Sequence, residues 1–159
     1  MTEERLAELE RRLQQIEDER AIERLIASYG PLVDAGAAEA TAALWATNGS
    51  YDVEGWPMRS RADVEAMVRS DAHQGLIGRG CCHFLGPAVV SVDGDEAAAV
   101  CESLLVVKRG EHFVVARAGA NRFILRRNDN QWQIVERTTR MLDGSPESRQ
   151  LLTTGLVDR

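Results

Sequence analysis

Apolar residues recur at helical spacing through the start of the chain. Leu6, Leu9, Leu13 and Ile16 form a heptad-like stripe, and Ile22, Leu25, Ile26 and Tyr29 form a second apolar face. The change of phase between Glu17 and Arg20 predicts that the first part leaves the globule and packs on another subunit or along its own domain. One long helix, or two in line, is expected over 3–29, broken or bent by Gly30-Pro31. A short helix follows over 37–46, closed by Asn48-Gly49. Residues 50–54 read as a strand, with a turn at Gly55-Trp56-Pro57. Ser60 is placed to cap a helix over 61–72. The glycines from Gly75 to Gly80 predict a loop.

From residue 82 the period changes to that of strands. Cys82–Asp93 holds the run AVVSV, and Asp93-Gly94-Asp95 is a hairpin turn. Ala97–Lys108, His112–Arg127 and Gln131–Met141 are the next strands. They are joined at Arg109-Gly110-Glu111 and at Asn128-Asp129-Asn130. Residues 147–153 read as a last short helix. Helices first and hairpin-linked strands afterwards predict an α+β fold, a curved antiparallel sheet packed against N-terminal helices. Long curved strands of this kind form a cone whose mouth holds a pocket. A single domain over 1–159 is expected, with 1–20 as a helical extension at a subunit interface.

Charge and composition narrow the chemistry. The 159 residues carry 19 Lys and Arg against 25 Asp and Glu, so 19 − 25 = −6. That balance argues against general nucleic-acid binding. No apolar run approaches the ~20 residues of a membrane span. The charged start MTEERLAELERR lacks the apolar core of a signal peptide, so a cytoplasmic protein is expected. Cys81, Cys82 and Cys101 fit free thiols better than a disulfide framework, and the adjacent pair reads as buried packing. The three histidines make no HxH or HExxH spacing, so no metal is expected. No glycine-rich phosphate loop follows a strand, so no nucleotide is expected.

A few polar residues sit where a pocket belongs. Asp34 follows the first helix in PLVDAG, where it could also cap the next one. His83 opens a strand in GCCHFLG, either as a hydrogen-bonded structural residue or as a base. Tyr29 and Tyr51 are the only tyrosines, and Tyr29 also continues an apolar face. Asn121 interrupts a strand in AGANRFIL, as a bulge or as a pocket group. Arg137 and Arg140 lie on the last strand in VERTTRML, where both could be solvated. His73 and His112 read as surface residues.

The runs AIERLIASYGPLVDAG, ALWATNGSYDV, HFLGPAVVSVDGDEA, ANRFIL and QWQIVERTTRMLDG, in that order, resemble the SnoaL-like branch of the nuclear transport factor 2 superfamily. The likeness spans about 15–153 and is most similar to the cofactor-free lyases of that branch: scytalone dehydratase, bile-acid 7α-dehydratase and hexachlorocyclohexane dehydrochlorinase. It implies an Asp–His pair at Asp34 and His83. It also implies Tyr29, Tyr51 and Asn121 as pocket residues and an Arg at 137 or 140. The chain departs from the pattern where those dehydratases carry a second His or an Asp. The stretch AVCESLLVV offers only Cys101, Glu102 or Ser103 there, so the donor to the leaving group stays open.

The resemblance implies a carbon–oxygen lyase, a dehydratase of a small hydrophobic cyclic or aromatic substrate. Asp34 would orient His83 and raise its pKa, and His83 would act as general base. An isomerase or polyketide-type cyclase using the same base is the alternative within enzymes. A non-catalytic small-molecule-binding or oxygenase-small-subunit-like protein is the alternative outside them. The expected assembly is a homo-oligomer, a trimer before a dimer, with no nucleic-acid or membrane partner.

Overall fold

The computed structural model describes residues 2–154. Its elements run α1 (Glu3–Asp34), α2 (Ala38–Ala42), β1 (Trp45–Val53), β2 (Trp56–Met58), α3 (Arg61–Arg69), α4 (Asp71–Arg79), β3 (Cys81–Leu85), β4 (Val89–Asp93), β5 (Glu96–Arg109), β6 (His112–Asn128), β7 (Gln131–Met141) and α5 (Pro146–Thr153). One sheet holds every strand, in the order β2-β1-β7-β6-β5-β3, with β4 also on β5. β1 pairs with β7 in parallel, and the other pairs are antiparallel. β3 and β4 take the two halves of β5, so they act as one edge interrupted at Gly86–Ala88. Register shifts in the β1–β7, β5–β6 and β6–β7 pairs mark irregularities that bend such a sheet. The α+β class and the curved sheet with helices on one face are as expected.

Helix α1 is continuous through Gly30-Pro31, where a break or bend was expected. A proline inside a helix is unfavourable by roughly 3 kcal/mol. Against that, Ile22, Ile26, Tyr29 and Val33 are all buried, each contributing roughly 1.5–3 kcal/mol. Burial therefore wins, and Pro31 sits in the last turn. The helix closes with Ala37 N–H on the Leu32 carbonyl and Gly36 N–H on the Val33 carbonyl, the Schellman pattern. Asp18 is buried and accepts from Trp132 Nε1 at 2.9 Å and Arg127 Nη1 at 2.6 Å, which pins the middle of α1 to the β6–β7 hairpin. Before Asp18 the helix stands clear: Leu6, Leu9, Leu13 and Ile16 are all exposed.

Three other expectations are corrected. The helix expected over 37–46 ends at Ala42, and β1 begins at Trp45 rather than at residue 50. Asn48-Gly49 is an irregularity inside β1, not a helix stop. A Cβ at Gly49 would lie 2.6 Å from the Ile134 carbonyl oxygen, so the close approach of β7 decides this position. The loop expected over Gly75–Gly80 is helix α4, with Ser70 Oγ accepting from His73 N–H at its start. Cys82 is exposed and Cys81 half-buried, so the adjacent pair is not core; Cys101 is buried, and all three are free thiols. No helix among the described residues is long and apolar enough to cross a membrane.

Candidate active site

One turn of helix separates Gly30 from Asp34, and that turn builds the site. α1 crosses β3 so closely that a Cβ at Gly30 would lie 2.1 Å from the His83 carbonyl oxygen. Only glycine permits that approach. Four residues on, along the same helix face, the Asp34 carboxylate reaches the start of β3. Oδ2 accepts the backbone N–H of His83 at 2.7 Å. Oδ1 accepts from His83 Nδ1 at 2.5 Å and from the Cys81 thiol at 3.5 Å. An ionised carboxylate only accepts, which assigns the imidazole proton to Nδ1 and leaves Nε2 bare. Asp34 therefore does not cap α2, whose start has no side-chain cap.

His83 forms part of the wall of a cavity of about 270 Å³ between the helices and the concave face of the sheet. Burial is the strongest influence on its pKa and holds it below the ordinary 6.5. The hydrogen bond and charge of Asp34 push upward, while His73 and Arg137 push further down. Pairing with Asp34 predicted a raised pKa, and desolvation of the imidazolium overturns that expectation. The ring is thus neutral near pH 7, the form a base requires.

Asp34, Cys81 and His83 also bring one ligand atom each within 4.8 Å of one another. A divalent ion there would have to displace the Nδ1 proton that Asp34 already holds. It would also have to ionise a thiol pushed up to about 11 by burial and by the neighbouring carboxylate. The donor set fits a hydrogen-bonded pair better than a metal centre.

Opposite His83 lies a buried cation. Arg137 is 2% exposed, and its guanidinium carbon stands 4.1 Å from the Tyr29 ring centre and 4.4 Å from that of Tyr51. Nε and Nη2 donate to Asn121 Oδ1 at 3.3 and 2.8 Å. Nη1 is buried with no partner, and no carboxylate pairs with Arg137 among the described residues. Tyr29 stands edge-on to Tyr51 and to His83, with ring centres 6.2 and 6.3 Å apart. Burial and Tyr51 push the Tyr29 hydroxyl well above its ordinary pKa, against the pull of Arg137. Tyr29 therefore stays protonated and keeps an O–H to donate.

The fold thus brings Asp34, His83, Tyr29, Tyr51 and Arg137 together. It does not bring Arg140 with them. Three residues from Arg137, Arg140 emerges on the other face of β7 and pairs with Asp52 and Glu147 at 2.9 and 2.7 Å. Asn121 stands behind the cavity wall, fully buried, and holds Arg137, Thr139 and Ser103 through its amide. It acts as a positioning residue and does not line the space. Of the three candidates for the donor, Ser103 lines the cavity, Cys101 is buried and Glu102 is exposed.

His73 was read as a surface residue and is buried. Its Nε2 donates to the Val33 carbonyl at 2.9 Å, and its ring lies 5.9 Å from that of His83. The glycines of α4 hid it, because they argued for a loop beyond residue 72. The capping serine at 70 was the available signal. His112, read as surface, is exposed.

The pattern of the SnoaL-like domain matches residues 14–138. The chain belongs to the SnoaL-like family. A nuclear transport factor 2-like protein with a cystatin-like fold from Novosphingobium aromaticivorans is 42% identical over 92% of this chain and 96% of its own, with a TM-score of 0.90. A variant of a Mycobacterium tuberculosis protein of unknown function is 24% identical, covering 84% and 78% of the two chains at a TM-score of 0.75. A candidate scytalone dehydratase from Novosphingobium aromaticivorans is 20% identical, covering 80% and 85% at a TM-score of 0.66. The last two likenesses concern the fold alone. No curated protein matches the chain significantly. Within this SnoaL-like chain the sheet is a scaffold shared with its neighbours, and function is argued from the cavity itself.

Proposed function

We propose that this SnoaL-like protein is a cofactor-independent carbon–oxygen lyase that dehydrates a small hydrophobic cyclic substrate. The observation that carries the reading is the Asp34–His83 pair, with Nδ1 tied to the carboxylate and Nε2 without a partner among the described residues. Nε2 takes a proton from a carbon next to a carbonyl. The electron pair released shifts onto the carbonyl oxygen, which the Tyr29 and Tyr51 hydroxyls and the nearby charge of Arg137 stabilise as it becomes negative. The enolate then reforms the carbonyl and expels the hydroxyl group at the adjacent carbon. His83, now protonated, returns its proton to the departing oxygen, and water leaves.

Asp34 stabilises the imidazolium during that interval. A cavity of about 270 Å³ lies at the small end of ligand sites, roughly 300–1,000 Å³, and suits a one- or two-ring compound. Self-association belongs to the same reading, since the α1 stripe and the outer sheet face leave Leu9, Leu13, Phe84 and Val115 exposed. Light scattering is expected to give a multiple of the 17.6 kDa chain mass.

The test uses a panel of cyclic β-hydroxy ketones in deuterated water. Loss of the α-proton is followed by NMR and the conjugated product by absorbance. The wild-type protein is expected to exchange and eliminate, and His83→Ala to do neither. Exchange at equal rates in the two proteins overturns the assignment of the base. Exchange without elimination by the wild type would make it an isomerase or cyclase and overturn the dehydratase assignment.

A further inference from the structure

The cavity has a charge imbalance that the proposed reaction does not use. The whole chain carries −6, yet no residue lining the cavity is an acid, while Arg117 and Arg137 both line it. Arg137 is committed: two of its nitrogens hold Asn121 and its faces lie on aromatic rings. Arg117 is not committed, and among the described residues it has no hydrogen bond and no ion pair. That sets it apart from its neighbours on the sheet. Arg140 holds two carboxylates, Arg127 holds two, and Arg122 and Arg126 hold one each.

Register explains why this arginine faces inward. His83 pairs with Leu105, and Leu105 pairs with Arg117. Residues directly opposite across neighbouring strands share a face, so Arg117 points to the same side as the base. The irregularity between Leu105 and Val106 follows at once. Beyond it the β6 residues from His112 to Ala116 are exposed. Arg117 is thus the first cavity-facing residue inward from the hairpin tip. Two strand spacings separate its backbone from that of His83, roughly 10 Å, about the length of a two-ring compound.

We propose that Arg117 is the anchor for a carboxylate on the substrate, so that the ligand is an organic acid held by its charged end at Arg117 while its ring reaches His83. The planar fork of a guanidinium matches the two oxygens of a carboxylate. The vacant fork in a cavity whose lining holds no acid marks where a ligand's charge goes. The inference rests on the cavity being the reaction site, and it adds specificity for the charge of the substrate.

The probes are 2-naphthoate and 2-naphthamide, measured by calorimetry on the wild type, Arg117→Gln, Arg117→Lys and His83→Ala. The acid is expected to bind the wild type about tenfold or more tightly than the amide, the gain of a charge-assisted pair. That preference is expected to disappear in Arg117→Gln, to survive in part in Arg117→Lys, which keeps the charge without the fork, and to weaken as salt is raised. It should persist in His83→Ala, because anchoring does not need the base. Equal binding of acid and amide by the wild type overturns the proposal. A preference unchanged in Arg117→Gln also overturns it and moves the anion to Arg137. Neither result bears on the proton-exchange test of His83, so the two readings fail separately. Unchanged melting of Arg117→Gln is expected, since the side chain has no partner to lose.

Discussion

The two faces of one sheet carry opposite chemistry in this protein. On the concave face, His83, Ser103, Arg117 and Arg137 line a cavity closed by helices. On the outer face of the same strands, Cys82 and Phe84 meet solvent, and Arg140 forms ordinary ion pairs. Neighbours in sequence thus divide between a desolvated site and an open surface. What separates them is the alternation of side chains along a strand. A charge on the inside is worth more because water is excluded, and it costs more to keep without a partner. The inner face accordingly holds a base with a lowered pKa and a cation without an acid.

The widest separation is expected between His83 and Phe84. His83→Ala should slow proton removal by roughly 10²–10⁴-fold with little change in melting temperature. Phe84→Ser, one residue along on the outer face, should leave the exchange rate unchanged. Equal losses in the NMR exchange assay would break the comparison of faces.

Glycines give the next contrast. Gly30→Ala places a methyl group against the His83 carbonyl oxygen, where neither backbone can easily yield. Overpacking of this kind lowers stability by about 1–3 kcal/mol or more. It should also detach Asp34 from His83. Gly78 lies in α4 with nothing within 4 Å of an added Cβ, and Gly78→Ala should raise stability by roughly 0.5–1 kcal/mol. Thermal and denaturant melts of the two variants should move in opposite directions.

Arg137 and Arg140 sharpen the point within one strand. Arg137→Met removes a buried charge with no acid beside it. It also gives up two bonds to Asn121 Oδ1 and the stacking on Tyr29 and Tyr51, so stability should fall by about 1–3 kcal/mol while turnover falls further. Arg140→Gln gives up two partly exposed ion pairs and should lose about 1 kcal/mol or less with turnover intact. A large loss of stability in Arg137→Met, with turnover kept, would make that arginine a structural group.

The smallest effect is the pH dependence. The pKa of His83 is below 6.5 in the folded chain and close to 6.5 when unfolded. The unfolded chain therefore binds the proton first as pH falls. Stability is complete above the unfolded pKa and declines from about pH 6.5 down towards the folded pKa. Melting temperature should fall on mild acidification, and fall less in His83→Ala. The exchange rate should rise with pH through a midpoint below 6.5. A midpoint above 6.5 would mean that Asp34, not burial, dominates the ring.

The sequence by itself determined the succession from helices to hairpin-linked strands and the hairpin turns, but not α4, β2 or the parallel β1–β7 pair. The turn at Asn128-Asp129-Asn130 is legible because Asp129 and Asn130 adopt positive φ, which few residues tolerate. Asp34 and His83 were legible because polar residues stood where helix and strand ends meet, and because the ordered runs resembled a known family. Tertiary structure decided the rest. The helix runs through Pro31 because four buried side chains outweigh one proline, and β1 begins at Trp45 because β7 packs on Gly49. The choice between Arg137 and Arg140, the withdrawal of Asn121 behind the wall and the arrival of His73 and Arg117 in the cavity all depend on register and on helix placement. Local sequence does not encode these, because a shift of one residue along a strand turns every side chain to the other face. The lowered pKa of His83 has the same origin: a pairing can be read from two residues, but the loss of water around an imidazole exists only once the helices close over the sheet.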